Sequence, residues 1–162
     1  MASKGGKKRA AAVAADTGQL RVREPSTAEE MQAYYDLRWR ILREPWSQGR
    51  GQERDEHETE AIHLAAWLGG RMVGVGRVHF IAPGQARIRY MAVETALQGR
   101  GIGGRILAGL EQRARAGGAK RVVLNARDRA VEFYRRHGYR IVQKSEVLFD
   151  AIPHWEMQKS LR

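Results

Sequence analysis

Gln98-Gly99-Arg100-Gly101-Ile102-Gly103-Gly104 is the stretch on which the reading of this chain turns. Before it runs the apolar, strand-like Ile88-Arg89-Tyr90-Met91-Ala92-Val93, and after it Ile102, Ile106, Leu107, Leu110 and Ala114 recur at helical spacing. The glycines therefore sit where a strand hands over to a helix N-terminus. N–H groups in a first helical turn lack an intrahelical acceptor, the helix dipole adds a partial positive charge, and glycine lets a ligand approach the main chain closely. Those are the properties of a phosphate site.

Three phosphate-binding patterns compete for the stretch. A Walker-type loop would end in Gly-Lys-Ser/Thr, which is absent. A dinucleotide fingerprint is spelled by Gly99, Gly101 and Gly104, but it should follow its strand directly, and here Glu94 to Gln98 intervene. The next strand also ends at Asn125, where that fingerprint expects an acidic ribose ligand. The third pattern is Gln98-x-x-Gly101-x-Gly103. With it the chain resembles the GNAT superfamily of acyl-CoA-dependent N-acetyltransferases, whose hallmark is Gln/Arg-x-x-Gly-x-Gly/Ala between the fourth strand and the third helix. The resemblance continues through Asn125-Ala126-Arg127, Ala130-Val131-Glu132-Phe133-Tyr134 and Gly138-Tyr139, which look like that family's later strand, its tyrosine-bearing helix and the turn after it.

Carried over position by position, the resemblance implies an acetyl-CoA site. Met91, Ala92 and Val93 would offer main-chain groups to the pantetheine arm and the acetyl carbonyl. Gln98, Gly99, Arg100, Gly101, Ile102, Gly103 and Gly104 would form the pyrophosphate loop. Asn125 falls where the family often has a polar contact to the pantetheine, Ala130 where a small residue lets the cofactor pass, and Tyr134 where a tyrosine faces the thioester sulfur. The strand Ile88 to Val93 lacks the glutamate that some subfamilies use as general base, so the base has to be sought elsewhere. Acetyl-CoA as acyl donor, an amine as acceptor and no metal are the implied partners; a homodimer is compatible with them.

Composition bounds the alternatives. A chain of 162 residues, 43% hydrophobic and 29% charged, is long enough to bury a core and reads as one domain over residues 20 to 162. No apolar run approaches the roughly 20 residues that span a bilayer. Without cysteine, disulfides, thiolate catalysis and zinc–thiolate sites are excluded, and the lysine-bearing N-terminus lacks the apolar segment of a secretory signal. A cytoplasmic enzyme is the expectation.

The net charge of +11 raises a nucleic-acid reading. Lys4, Lys7, Lys8 and Arg9 against Asp16 leave +3 in residues 1 to 19 and +8 in the remainder. That first segment has no apolar periodicity and is expected to be a disordered basic tail, able to touch RNA or a membrane surface but more simply read as solvated. In the body the arginines are scattered, without the aromatic platform of single-strand binders. A non-catalytic CoA-binding or RNA-associated basic module is the alternative to the enzyme.

The rest of the chain predicts an α+β fold, a mixed and mostly antiparallel sheet flanked by helices. Leu20 to Arg23 alternates as a strand, Ser26-x-x-Glu29 reads as a capping box, and Met31, Tyr34, Tyr35, Arg38, Ile41 and Leu42 follow at helical spacing up to Pro45. Ala61 to Leu68 and Arg71 to Phe80 alternate about a Gly69-Gly70 turn, with a slip at Gly76-Arg77 that suggests a bulge. Val122-Val123-Leu124 suits a buried parallel strand, Asp128 a helix cap, and Ile141-Val142 and Pro153 to Lys159 two closing strands.

Acetyl transfer needs alignment of amine and thioester, an oxyanion donor, a base for the amine proton and an acid for the thiolate. Tyr134 is the candidate acid. His63, on the non-aliphatic face of its strand, and His154, at the start of the last one, are the candidate bases, because imidazole titrates in the useful range. The acids Glu53, Asp55, Glu56, Glu58 and Glu60 read either as a solvated loop or as a lip attracting a cationic amine, with Glu58 and Glu60 its candidate substrate contacts.

Overall fold

The computed structural model describes residues 19–161. The expected basic tail, Gln19 apart, lies outside them. Strand β1 (Leu20–Arg23) leads to helix α1 (Ala28–Leu42). The helix start is capped one residue later than the sequence suggests: Thr27 Oγ1 accepts from Glu30 N–H at 3.0 Å, and the Glu30 carboxylate reaches back to Ser26 N–H at 2.9 Å. After α1 a short 3-10 turn over Glu44–Trp46, with Pro45 in its first turn, redirects the chain. Strands β2 (Ile62–Leu68), β3 (Arg71–Ala82) and β4 (Gln85–Val93) follow as a meander whose first turn, Gly69-Gly70, has positive φ at both residues. Helix α2 (Ile102–Ala116), strand β5 (Arg121–Arg127), the short helix α3 (Val131–Arg136) and strands β6 (Arg140–Leu148) and β7 (Ile152–Ser160) complete the order. No helix among the described residues is long and apolar enough to cross a membrane.

All seven strands lie in one sheet in the order β1-β2-β3-β4-β5-β7-β6, antiparallel throughout except between β4 and β5. The expected α+β mixed sheet is what forms. Each face carries its own core. On one, Leu64, Val78, Ile88, Val122, Leu124 and Met157 pack under the α2 stripe Ile102, Ile106, Leu107, Leu110 and Ala114. On the other, Ala65, Trp67, Val75 and Tyr90 pack against Tyr34, Leu37 and Leu42 of α1. Helix α2 lies so near β3 that a Cβ on Gly76 would stand 2.9 Å from Ile106 and from Leu110. Any side chain there would push the helix off the sheet.

One irregularity does fall at Gly76, with its extra residue on the facing strand β4, and another lies earlier in β3. In β3 the unpaired residue is Val73, since Ala66 pairs with Gly74 and Trp67 with Met72. Val73 and Val75 thus enter opposite cores, whereas simple alternation put them on one face. In β4 the register passes from Val75↔Ala92 to Arg77↔Arg89, so two residues, Tyr90 and Met91, stand opposite Gly76 alone. Asp128 likewise does not cap a helix; it begins a 3-10 turn over Asp128–Ala130, and its carboxylate accepts from Trp155 Nε1 at 2.8 Å.

Candidate active site

Strands β4 and β5 pair over only three positions, Gln85↔Arg121, Ala86↔Val122 and Arg87↔Val123. Beyond them both run on without pairing to each other, β4 for six residues and β5 for four. The gap between two parting strands is a cleft of about 450 Å³, walled by Ile88 to Met91 of β4, Leu124 to Arg127 of β5, the end of α1, and the start of β7 with its β6 neighbour. Two parallel strands can part only if the main-chain groups they turn toward each other find other partners. One such partner comes from within: Gln98 Nε2 donates to the Val93 carbonyl at 3.1 Å, tying the motif glutamine to the end of β4. The β4 bulge against β3 falls in this same stretch, and Tyr90 there has a φ of 61°, the left-handed region that a bulky side chain rarely enters. Such strain persists only where surroundings impose it. The guanidiniums of Arg38, Arg89 and Arg77 stand 4.3, 4.5 and 4.9 Å from the Tyr90 ring and hold it in place.

Val93 hands over through a 3-10 turn (Thr95–Leu97) to the glycine loop. Among the described residues, no acceptor takes the main-chain N–H groups of residues 99 to 104, and α2 has no side-chain cap. Gly101, the N-cap, has a φ of 82°, a conformation in which a valine would be strained. Gly103 and Gly104 are small for a second reason: a Cβ on either would meet Phe133 at 3.2 Å or His137 at 2.8 Å. The N-terminus of α2 is thereby pressed against α3, the helix that carries Tyr134. Ile102 is buried beneath the loop, and Arg100 stands exposed on it.

Tyr134 lines the cleft, 7% exposed, and no described residue hydrogen-bonds its hydroxyl. Burial pushes its pKa up, so it stays a protonated phenol across the physiological range. Ala130 and Asn125 line the same cleft, with Asn125 exposed where β5 has left β4; Met91 is there too, while Ala92 and Val93 continue the strand. His154, paired across the sheet with Arg127, reaches the cleft from β7. Its Nδ1 bonds the Ile152 carbonyl at 2.9 Å and so carries the hydrogen, which leaves Nε2 as an acceptor that no described residue occupies. Burial, with Arg127 and Arg43 nearby, lowers its pKa and keeps the ring neutral.

The remaining candidates lie away from the cleft. His63 has Nδ1 on the Tyr34 hydroxyl at 3.0 Å and Nε2 on the Glu58 carbonyl at 2.7 Å, so both ring nitrogens are engaged in holding α1 to the loop before β2. Glu58 accepts from Arg38 at 2.8 Å and Arg77 at 2.7 Å, and Asp55 takes both terminal nitrogens of Arg77 at 2.6 and 2.9 Å. Both arginines are fully buried. The acidic stretch therefore points largely inward to neutralise them. Glu60 is exposed and pairs with His57. Neither Glu58 nor Glu60, read from the sequence as contacts for a cationic amine, lines the cleft.

The cleft also holds residues that the sequence reading passed over: Tyr90, Arg43, Arg87 and Arg127. A period-two reading from Asn125 would have put Arg127 on the same strand face. Nothing in the sequence marks Arg43, which comes in through the C-terminus of α1.

Comparison with known proteins agrees with this architecture. The family model described as Acetyltransferase (GNAT) domain matches residues 44–161. The protein YjcF of Bacillus subtilis strain 168, described as an uncharacterized N-acetyltransferase, is 38% identical over 108 residues, which is 67% of this chain and 76% of that protein. Two crystal structures share the fold. An acyl-CoA N-acyltransferase from Pseudomonas aeruginosa superposes with a TM-score of 0.72 at 24% identity, over 88% of this chain and 99% of that one. A GNAT family acetyltransferase from Elizabethkingia anophelis with acetyl-CoA bound gives 0.73 at 18% identity, over 88% and 98%.

Proposed function

Since this chain belongs to the GNAT acetyltransferase family, we propose that it transfers the acetyl group of acetyl-CoA to a primary amine by direct attack on the thioester. One observation carries the assignment of residues. The amides of residues 99 to 104, which no described residue takes up, adjoin the end of β4 and the helix α3, whose Tyr134 lines the cleft between β4 and β5. Amides at a helix N-terminus suit a pyrophosphate. The open main-chain edge of Met91, Ala92 and Val93 suits the amide-bearing pantetheine arm, with Asn125 across the cleft as a further polar contact and Ala130 small enough to let it pass. A main-chain N–H at the strained Tyr90-Met91 bulge would serve the oxyanion that develops on the thioester carbonyl.

In the proposed reaction the amine nitrogen forms a bond to the carbonyl carbon as the carbon–sulfur bond breaks. Its proton goes to Nε2 of His154, and the departing thiolate takes the hydroxyl proton of Tyr134. Neutral His154 with a vacant Nε2 and protonated Tyr134 are the forms these roles require. A cytoplasmic enzyme is part of the same proposal.

Calorimetry and thiol release test it together. Wild type should bind acetyl-CoA, and Gly101→Val, strained at the loop, should lose that binding while the fold survives. Tyr134→Phe keeps the ring and should lower kcat by about 10²-fold with KM for acetyl-CoA little changed. Undiminished binding by Gly101→Val would remove the loop assignment, and undiminished turnover by Tyr134→Phe would return that tyrosine to the core.

A further inference from the structure

The acceptor half of the cleft is rich in arginine and poor in anything to neutralise it. Arg43, at the end of α1, is 6% exposed; its Nε and Nη1 donate to the main-chain carbonyls of Gln52 and Leu42 at 2.9 and 3.0 Å. Arg127 of β5 donates Nη2 to the same Leu42 oxygen at 3.1 Å. Two guanidiniums thus converge on one carbonyl oxygen, and neither has a carboxylate partner among the described residues. Beyond these carbonyls Arg43 has only the neutral Tyr90 hydroxyl as a partner, and Nε and Nη1 of Arg127 have no acceptor among the described residues. Deeper, where β4 and β5 part, Arg87 has its Nε buried without a partner. The lining includes one carboxylate, the exposed Glu146 of β6.

Buried like charges repel, and proteins that keep them supply counter-charge, as the loop acids here do for Arg38 and Arg77. Where the described residues pair no carboxylate with the two guanidiniums but the cleft is open, a ligand can bring the missing charge. Burial, then Arg43 and Arg129, lower the Arg127 pKa to about 10, in keeping with the same shortage. Acetyl-CoA itself does not meet the need. Its pyrophosphate has the amides at the N-terminus of α2, on the sheet face opposite α1, whereas Arg43 and Arg127 lie on the α1 side.

Resting on the acetyl-transfer reading, we infer that the acceptor is an amine that carries its own oxyanion, a carboxylate or a phosphate, held by the Arg43–Arg127 pair. Arginine forks match either oxyanion through paired N–H···O bonds. Anchored there, the acceptor's nitrogen faces His154, which pairs with Arg127 across β5 and β7. Glu146 stands on the same cleft wall, where it suits the ammonium of a zwitterion before its proton is lost.

The experiment is a thiol-release panel at saturating acetyl-CoA in which each anionic amine is set beside its neutral counterpart: an amino acid against its amide, and an aminoalkyl phosphate against the amino alcohol. Calorimetry with acetyl-CoA runs in parallel. The expected result is kcat/KM higher by about 10- to 100-fold for the anionic member of at least one pair, since a charge-assisted bond contributes that much. The carboxylate and phosphate arms tell which oxyanion it is. Arg127→Gln should raise KM for that amine by a similar factor and leave KM for its neutral counterpart and the acetyl-CoA affinity where they were. Should Arg127→Gln not fold, Arg127→Lys, which keeps the charge but not the two-pronged fork, takes its place with the same expectation of anion-selective loss. If neutral and anionic amines react alike, or if the arginine variants weaken acetyl-CoA instead, the inference is overturned while the acetyltransferase reading stands. If wild type neither binds acetyl-CoA nor releases thiol with any amine, the reading beneath it has failed.

Discussion

A proton has to leave the amine as it attacks, and the two candidate bases differ in whether they have room for it. His63 spends both ring nitrogens on Tyr34 and Glu58, so it holds structure together. His154 lines the cleft and spends only Nδ1, with no described residue on its Nε2. Sequence spacing put both histidines on strand faces without saying which would reach the gap, because the gap exists only where β4 and β5 part. His154→Gln tests the role. Burial comes first among the causes that lower its pKa, followed on that side by Arg127 and Arg43, with the Ile152 carbonyl and Glu146 opposing, so the ring stays neutral below the ordinary value of 6.5. Expressed per free amine, wild-type kcat/KM should therefore hold from neutral pH down through 6.5 and fall only in more acid solution. In the variant it should be lower by about 10²-fold and that acidic limb should be gone. A limb that persists in His154→Gln would mean that the proton leaves by another route.

At the level of elements, the loop between α1 and β2 shows what pattern reading can and cannot recover. Helical spacing put Arg38 on the same stripe as Tyr34 and Leu42, and it does lie there, fully buried. The glycine loop, the meander and the closing strands were equally legible, since each rests on local chemistry: turn glycines, alternation and a helix start. The purpose of the acids was not, because the arginines that meet Asp55 and Glu58 are 19 to 34 residues distant and reach them only in the folded state. Arg38 also donates to the Glu53 carbonyl at 2.9 Å, and Arg89 to Asp55 at 2.6 Å, so the whole loop is cross-linked to α1, β3 and β4. Glu58→Gln removes a shared counter-charge of two buried guanidiniums and should cost about 3–5 kcal/mol in urea denaturation. Activity of the folded fraction should remain, because Glu58 does not line the cleft. A loss near 0–1 kcal/mol, the range of exposed ion pairs, would show that the network is solvated.

Across the molecule, the sheet with its two cores is a rigid frame split at one place, and the buried titratable groups that brace it lean in one direction with pH. His79 shows this most clearly. It is 4% exposed, its Nδ1 faces Nη2 of Arg77 at 3.2 Å, and its ring stacks on His57. Burial, then Arg77 and His57, lower its pKa from 6.5 to about 4. Since Arg77 already donates toward Nδ1, a proton there would set two donors face to face. The unfolded chain therefore takes up a proton near pH 6.5 that the native state refuses until about pH 4. Stability from this group is complete above 6.5 and is lost as pH falls from 6.5 to about 4; the lowered pKa values of His63 and His154 act with the same sign. Asp55 and Glu58, held low by Arg77 and Arg38 against the cost of burial, add a further loss in more acid solution. The melting temperature should accordingly be level from pH 8 to 6.5 and drop steadily below that. In His79→Gln, which keeps an acceptor for Arg77 but cannot titrate, the drop between 6.5 and 4 should be visibly shallower. Superimposable profiles would mean that the unfolding midpoint is set by the carboxylates alone.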